Sequence, residues 1–196
     1  SLPESPTAPN AENRGRLALL GGGNNILFTG DFHGTLLHPT GGKIAVTAEN
    51  GDSVSVRADA GVDWDTFVGW CESHGLWGAE NLTAIPGTVG AAPVQNIGAY
   101  GAEAKDIIDS VELLDLETLK PATIAGCHCG FGYRDSIFKG ALKGRTVITA
   151  VHFRLSRTPQ PRLGYAALEE KVAELGEPTL TNIRTAVRTI RDGKLP

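Results

Sequence analysis

The chain has 196 residues, of which 41% are apolar and 20% charged, and it carries a formal net charge of −4. That length supports one sizeable core and excludes two ordinary domains, while the apolar fraction excludes general disorder. No window approaches 18 uninterrupted apolar residues, so no membrane span is expected, and the mild acidity argues against nucleic acid, whose recognition needs a concentrated basic face.

Glycine is the compositional outlier, with 25 residues beside 11 prolines and no Gly-X-Y period. Tight turns or close backbone approaches must recur along the chain. The polar, Pro-rich opening SLPESPTAPNAEN is unlike a signal peptide, and Met is absent throughout. Residues 1–16 are therefore expected to be a flexible or truncated start, and the chain reads as a fragment or a processed product.

Leu17 to Leu20 reads as a short buried strand running into Gly21-Gly22-Gly23-Asn24-Asn25, after which Ile26-Leu27-Phe28 resumes the apolar run. Gly34 to His38 and Lys43 to Ala48 look like further strands. Asp52 to Ala58 alternates polar and apolar residues as a half-buried strand does, and Asn50-Gly51 before it signals a hairpin. Asp63 is a candidate helix cap, followed by the stripe Trp64, Phe67, Val68 and Cys71, with Gly75 as a stop. A second glycine-rich stretch covers Pro86 to Gly101, PGTVGAAPVQNIGAYG. Residues 107–119 read as a hairpin or a long strand, and Thr146 to Leu155 is the best single strand. Helices are expected at about 165–175, entered after Gly164, and 179–191, with Thr179 as cap. Many strands with a few helices at one end favour α+β over alternating βαβ units.

Arg184, Arg188 and Arg191 fall on one side of the last helix, either as a solvated face or as a rim that attracts an anionic small molecule. Three cysteines, Cys71, Cys127 and Cys129, form no disulfide framework, which points to a reducing compartment and a cytoplasmic protein. Cys127-His128-Cys129 lacks the spacing of a zinc site, so no metal is expected.

The two glycine-rich loops carry the chemistry. Consecutive unhindered N–H groups at Gly21-Gly22-Gly23 form a nest suited to an anion, although a glycine triplet also serves as a plain tight turn. It is neither G-x-G-x-x-G, since Ile26 holds the sixth position, nor a P-loop. The second loop adds Gly87-Thr88-Val89-Gly90 and Gly98-Ala99-Tyr100-Gly101 around Gln95 and Asn96, whose amides suit a polar planar ring. Two such loops in one small chain favour a nucleotide cofactor.

At these loops and at Phe131 to Lys139, FGYRDSIFK, the sequence closely resembles the UDP-N-acetylenolpyruvoylglucosamine reductase family, from about Leu17 to Pro196. The resemblance implies an α+β FAD-binding fold of the vanillyl-alcohol oxidase type over residues 17–156. A linker and an incomplete substrate-binding domain would follow over 157–196. It implies FAD as cofactor and NADPH as reductant, a UDP-sugar enolpyruvyl ether as substrate, and UDP-N-acetylmuramate for peptidoglycan as product. No protein partner is indicated.

Residue by residue, the match gives Arg134 the active-site role of holding the substrate carboxylate and stabilising the charge that develops beside it. Tyr100, Tyr133, Tyr165 and Lys194 match substrate-contacting positions. Gly21, Gly22, Gly23, Asn24 and Asn25 of the first loop match the cofactor site. So do Gly87, Thr88, Gly90, Ala91, Gln95, Asn96 and Gly98 of the second. Departures are Asn24 where Ser is frequent, Gly164 where Thr or Ser is usual, and Ala166 where Gly is usual. The family's first strand–helix unit is mostly absent, and its Asn-Ala-Gly-Ser-Phe-Phe stretch, with the proton-donating serine, does not occur in this sequence. Neither Ser136 nor Glu169 sits in a matching motif for that job. The isolated chain is accordingly expected to fall short of full activity. The alternatives are another FAD-linked oxidoreductase, or a non-catalytic nucleotide-binding or scaffold module derived from the enzyme.

Overall fold

The computed structural model describes residues 17–193, so the expected start at 1–16 and the candidate Lys194 lie outside the described residues. Two short strands, β1 (Leu17–Leu19) and β2 (Thr35–Leu37), pair in parallel on either side of the first glycine loop. Strands β3 (Ile44–Asn50) and β4 (Ser53–Asp59) form the expected hairpin, and Gly51 supplies the positive φ of 57° at its turn. The alternation in β4 works as read. Val54, Val56 and Ala58 are buried, and the residues between them are only partly so.

Helix α1 (Trp64–Ser73) starts at Asp63, whose Oδ1 accepts the Thr66 N–H at 2.8 Å, and the chain leaves it through Gly75 at φ 66°. Its apolar stripe of Trp64, Phe67, Val68 and Cys71 is buried. A two-strand ribbon follows, β5 (Gly98–Ala99) against β6 (Ala102–Glu103). Residues 107–119 resolve into β7 (Ile108–Asp115) and a turn, with the hairpin partner β8 (Pro121–Ala125) beyond them. Pro121 opens an edge strand, where a missing N–H costs no ladder bond. Strand β9 (Thr146–Ser156) completes an antiparallel sheet of order β3-β4-β9-β7-β8.

The main core lies between this sheet and α1. Phe67 of α1 meets Phe153 of β9 with ring centroids 4.3 Å apart, and Trp64 packs on both. Each such ring contributes roughly 1.5–3 kcal/mol by leaving water.

A second apolar cluster joins Trp77 to helices α2 (Ala166–Leu175) and α3 (Leu180–Asp192) through Leu168, Val172, Ile183 and Val187. Trp77 exchanges backbone hydrogen bonds with Ser156 at 2.7 and 3.1 Å, which fixes this cluster to the end of β9. Thr179 caps α3, its hydroxyl accepting the Asn182 N–H at 3.1 Å. Within the arginine stripe of α3, Arg188 is exposed, as the solvated-face reading expects, but Arg184 and Arg188 are both ion-paired to α1. Arg184 is bonded to Glu72 of α1 and donates to Thr83 Oγ1 at 3.2 Å, and Arg188 reaches Asp65 of α1. Carboxylates of α1 neutralise these two arginines, so they dock α3 instead of forming a rim for an anion.

Candidate flavin and substrate site

The three motif segments converge in space. Gly21, Gly22, Gly23, Asn24 and Asn25 line one wall of an open cleft of about 300 Å³, and Gly87, Ala91 and Gln95 line the facing wall. A Cβ on Gly22 would stand 3.4 Å from the Gly87 Cα, and one on Gly21 would stand 3.4 Å from Thr88 Oγ1. Both distances are ordinary van der Waals contacts, and what favours glycine in these loops is instead the positive φ of Gly23 (75°) and Gly87 (129°). Lys139, the last residue of the FGYRDSIFK segment, is the one charged side chain among the described residues that line the cleft.

Thr88 and Gly90 lie behind this wall, lining a smaller apolar pocket with Phe138 and Ile148. The Gly90 N–H is donated to the Ala60 carbonyl at 2.9 Å, and a Cβ there would come within 2.6 Å of the Ala60 methyl. Gly90 is therefore explained by packing against Ala60. Asn96 and Gly98, also read as cofactor residues, do not line the cleft. Asn96 is fully buried, its Nδ2 donating to the Gly132 carbonyl at 2.9 Å and its Oδ1 accepting the Lys105 N–H at 3.0 Å. The Gly98 carbonyl instead accepts Arg134 Nη2 at 2.6 Å.

That last bond begins a continuous strip of the residues matched to substrate. Tyr133 and Arg134 form the tip of a tight turn closed by Gly132 and Asp135, whose N–H and carbonyl groups pair at 3.0 and 3.3 Å. Tyr133 is 88% exposed, and the guanidinium of Arg134 lies 5.9 Å from its ring centre. Beyond Gly98, the ribbon turns at Tyr100 and Gly101, both at positive φ (49° and 80°). The Tyr100 ring meets that of Tyr165 edge-on, with centroids 5.3 Å apart. Among the described residues, Ala84, Asn96, Tyr100, Leu119 and Arg134 are the non-glycine positions with positive φ. Three of those five belong to this site, and backbone strain of this kind gathers where a ligand must be met in a fixed geometry.

Three contributors were not singled out from sequence. Lys139 was quoted within its motif but given no role. Ser136 is buried, donating to the Val94 carbonyl at 2.6 Å and accepting the Phe138 N–H at 3.2 Å. Asn81 is buried below Tyr100 and donates to the carbonyls of Tyr100 and Arg162, both at 2.8 Å, which ties the ribbon to the segment leading to Tyr165. Its neighbour Glu80 accepts the Gly78 N–H at 2.6 Å, and burial pushes its carboxyl above the ordinary range. Cys127 is exposed while Cys129 is buried, with its thiol pushed up to about 11 by desolvation, so the two are placed in different surroundings.

A nucleotide-binding flavoprotein domain is the class that this fold and cleft define, and residues 9–118 match the family described as FAD binding domain. Across the whole chain the similarity is narrower. The chain is 44% identical over 201 residues to the UDP-N-acetylenolpyruvoylglucosamine reductase of Dechloromonas aromatica, covering 100% of this chain and 59% of that protein. It is 45% identical over 177 residues to the enzyme of the same name from Bacteroides fragilis, covering 90% and 53%. The chain belongs to the UDP-N-acetylenolpyruvoylglucosamine reductase family. It spans a little over half the length of these curated relatives. The crystal structure of the UDP-N-acetylenolpyruvylglucosamine reductase from Thermus caldophilus shares the fold, with a TM-score of 0.62 at 23% identity over 92% of this chain and 57% of that one.

The cleft fits the diphosphate of FAD. Its lining offers glycine backbone, the amides of Asn24, Asn25 and Gln95, and the ammonium of Lys139, and no carboxylate is among the lining residues. These groups, set beside the apolar Ile26, Pro86, Ala91 and Val94, are the kind that could hold a diphosphate and the adjoining flat ring.

Proposed function

We propose that the whole protein to which this chain belongs reduces UDP-N-acetylglucosamine enolpyruvate to UDP-N-acetylmuramate, with NADPH as reductant, for peptidoglycan synthesis in the cytoplasm. Residues 17–156 form its FAD-binding domain, of the vanillyl-alcohol oxidase type, and 157–196 lead into its substrate-binding domain. The observation that carries this reading is the adjacency of the glycine-lined cleft to Arg134, through Lys139, whose Nζ donates to the Arg134 carbonyl at 2.9 Å.

When bound, FAD would supply the two-electron chemistry that links NADPH to the enolpyruvyl double bond. The chain's own residues orient the reactants. Backbone groups of Gly21–Asn25 and Gly87 face the diphosphate, and Lys139 offsets part of its charge. Arg134 grips the substrate carboxylate with two parallel hydrogen bonds and stabilises the negative charge that grows beside it as hydride arrives. Gly98 is the carbonyl that holds the guanidinium at the rim, and Tyr133, Tyr100 and Tyr165 continue the strip along which the UDP-sugar lies.

Anaerobic half-reactions of the whole protein test this. NADPH should bleach the bound flavin, and the enolpyruvyl substrate should restore its colour. Arg134→Ala should slow the second step by on the order of 10²–10³-fold and leave the first step unchanged. Restoration at the unsubstituted rate in that variant contradicts the role of Arg134, and no restoration in the unsubstituted protein contradicts the proposed substrate.

A further inference from the structure

The turn that presents Arg134 cannot hold itself. Its tip has only two residues, Tyr133 is 88% exposed, and Arg134 adopts φ 54°. That left-handed conformation is unfavourable for a non-glycine residue, and it persists only where the surroundings over-determine it. The surroundings here are a second loop. Val94, Asn96 and Gly98, at alternate positions, each bond to the turn segment. The Val94 carbonyl accepts Ser136 Oγ at 2.6 Å, Asn96 Nδ2 donates to the Gly132 carbonyl at 2.9 Å, and the Gly98 carbonyl accepts Arg134 Nη2 at 2.6 Å.

Two of these ties come from side chains that water hardly reaches, since Asn96 is 0% and Ser136 4% exposed. Both also accept a backbone N–H, so each is held at both its donor and its acceptor. Asn96 Oδ1 takes the Lys105 N–H at 3.0 Å, and Ser136 Oγ takes the Phe138 N–H at 3.2 Å. Neither group is placed to touch a ligand. Asn96 itself sits at φ 42°, a conformation that asparagine tolerates better than most residues. The Gly132 carbonyl spends both lone pairs, one on the Asp135 N–H at 3.3 Å that closes the turn and one on Asn96.

We propose that Asn96 and Ser136 are positioning residues, which lock the turn carrying Arg134 onto the second glycine-rich loop and so fix the guanidinium relative to the cofactor cleft. The catalytic consequence rests on the function proposed above; the mechanical part does not. Because the loop that locks the turn also lines the cleft through Gln95, cofactor wall and carboxylate grip are built as one piece.

Asn96→Asp separates the two ends of the amide. It keeps an acceptor for Lys105, keeps the tolerance of positive φ, and loses the donor to Gly132. Hydrogen exchange on the chain itself is the first readout. Exchange at the Gly132 and Asp135 amides should accelerate on the order of tenfold, while the Val151 and Phe153 amides of β9 keep their rates. Ser136→Ala, which adds no buried charge, should act in the same direction and carries the test if Asn96→Asp does not fold. The second readout is kinetic, in the whole protein, where kcat and kcat/KM should fall together by on the order of tenfold. Unchanged exchange at the turn in a folded variant overturns the proposal, as does acceleration spread equally through β9. If instead Arg134→Ala turns over normally, the catalytic role proposed for Arg134 fails, and the exchange data still judge the locking of the turn.

Discussion

Arg134 and Tyr100 stand at backbone positions where glycine would fold more easily. Each is a large side chain held at positive φ, at 54° and 49°, on a short turn, Arg134 exposed and Tyr100 half-buried against the second apolar cluster. Sequence motifs identified both residues as site candidates, because the YRDS and GAYG runs are specific, yet nothing in the letters R and Y reports a left-handed backbone. The same limit explains Asn96. An amide in a glycine-rich loop reads as a ligand contact, and only the packing of two loops distant in sequence shows its donor turned inward to Gly132. If the backbone at Arg134 is strained, Arg134→Gly and Arg134→Ala should differ although both delete the guanidinium. Urea unfolding should find the glycine variant more stable by about 1 kcal/mol, since only alanine retains the Cβ that opposes positive φ. Equal stability, or a more stable alanine variant, would show an unstrained turn.

At the scale of elements, strong periodicity was legible and weak periodicity was not. The stripe of α1, the alternation of β4 and the long apolar run of β9 appear where the spacing places them. Strand β8 escaped because PATIA is short, holds Ile124 as its one large apolar residue and is opened by proline, and it is a strand only because β7 offers an edge to pair with. Pairing also builds a feature that no single strand displays. On the outer face of the sheet, Arg57 of β4 makes two bonds to Glu112 of β7, at 2.9 and 2.8 Å, and His152 of β9 reaches the same carboxylate at 2.6 Å. The Arg57 hydrogen bonds, followed in weight by that of His152 and opposed by desolvation, hold the Glu112 carboxyl at about 2, below its ordinary 4.5. A carboxyl depressed on folding stabilises the fold above its unfolded value and loses that contribution as pH falls from about 4.5 toward about 2. Unfolding free energy should therefore drop as pH falls from about 4.5 toward about 2, with a shallower drop in Glu112→Gln. Equal slopes for the two proteins would remove Glu112 from the acid response.

Over the whole molecule, one antiparallel sheet carries α1 on its inner face, the glycine-rich loops belong to the separate β1–β2 pair and to the segment entering the β5–β6 ribbon, and α2 and α3 are fastened to the body by Trp77 and by the Arg184–Glu72 and Arg188–Asp65 pairs. The glycine excess noted in the composition thus serves two purposes. At Gly21–Gly23 and Gly87 it opens a donor-lined cleft, while at Gly90 it permits close packing against Ala60. Composition could not divide the glycines between these uses, because the distinction lies in what a Cβ would meet.

Titration of the folded chain with FAD, followed by flavin fluorescence and by the displacement of its visible bands, tests the cleft most directly. Saturable binding of one FAD per chain is expected, weakened roughly tenfold in Lys139→Ala through the loss of one charge-assisted contact of about 1.4 kcal/mol. A folded chain that leaves the flavin spectrum unchanged, or a Lys139→Ala variant that binds FAD as tightly as the unsubstituted chain, would contradict the placement of the diphosphate between these two loops.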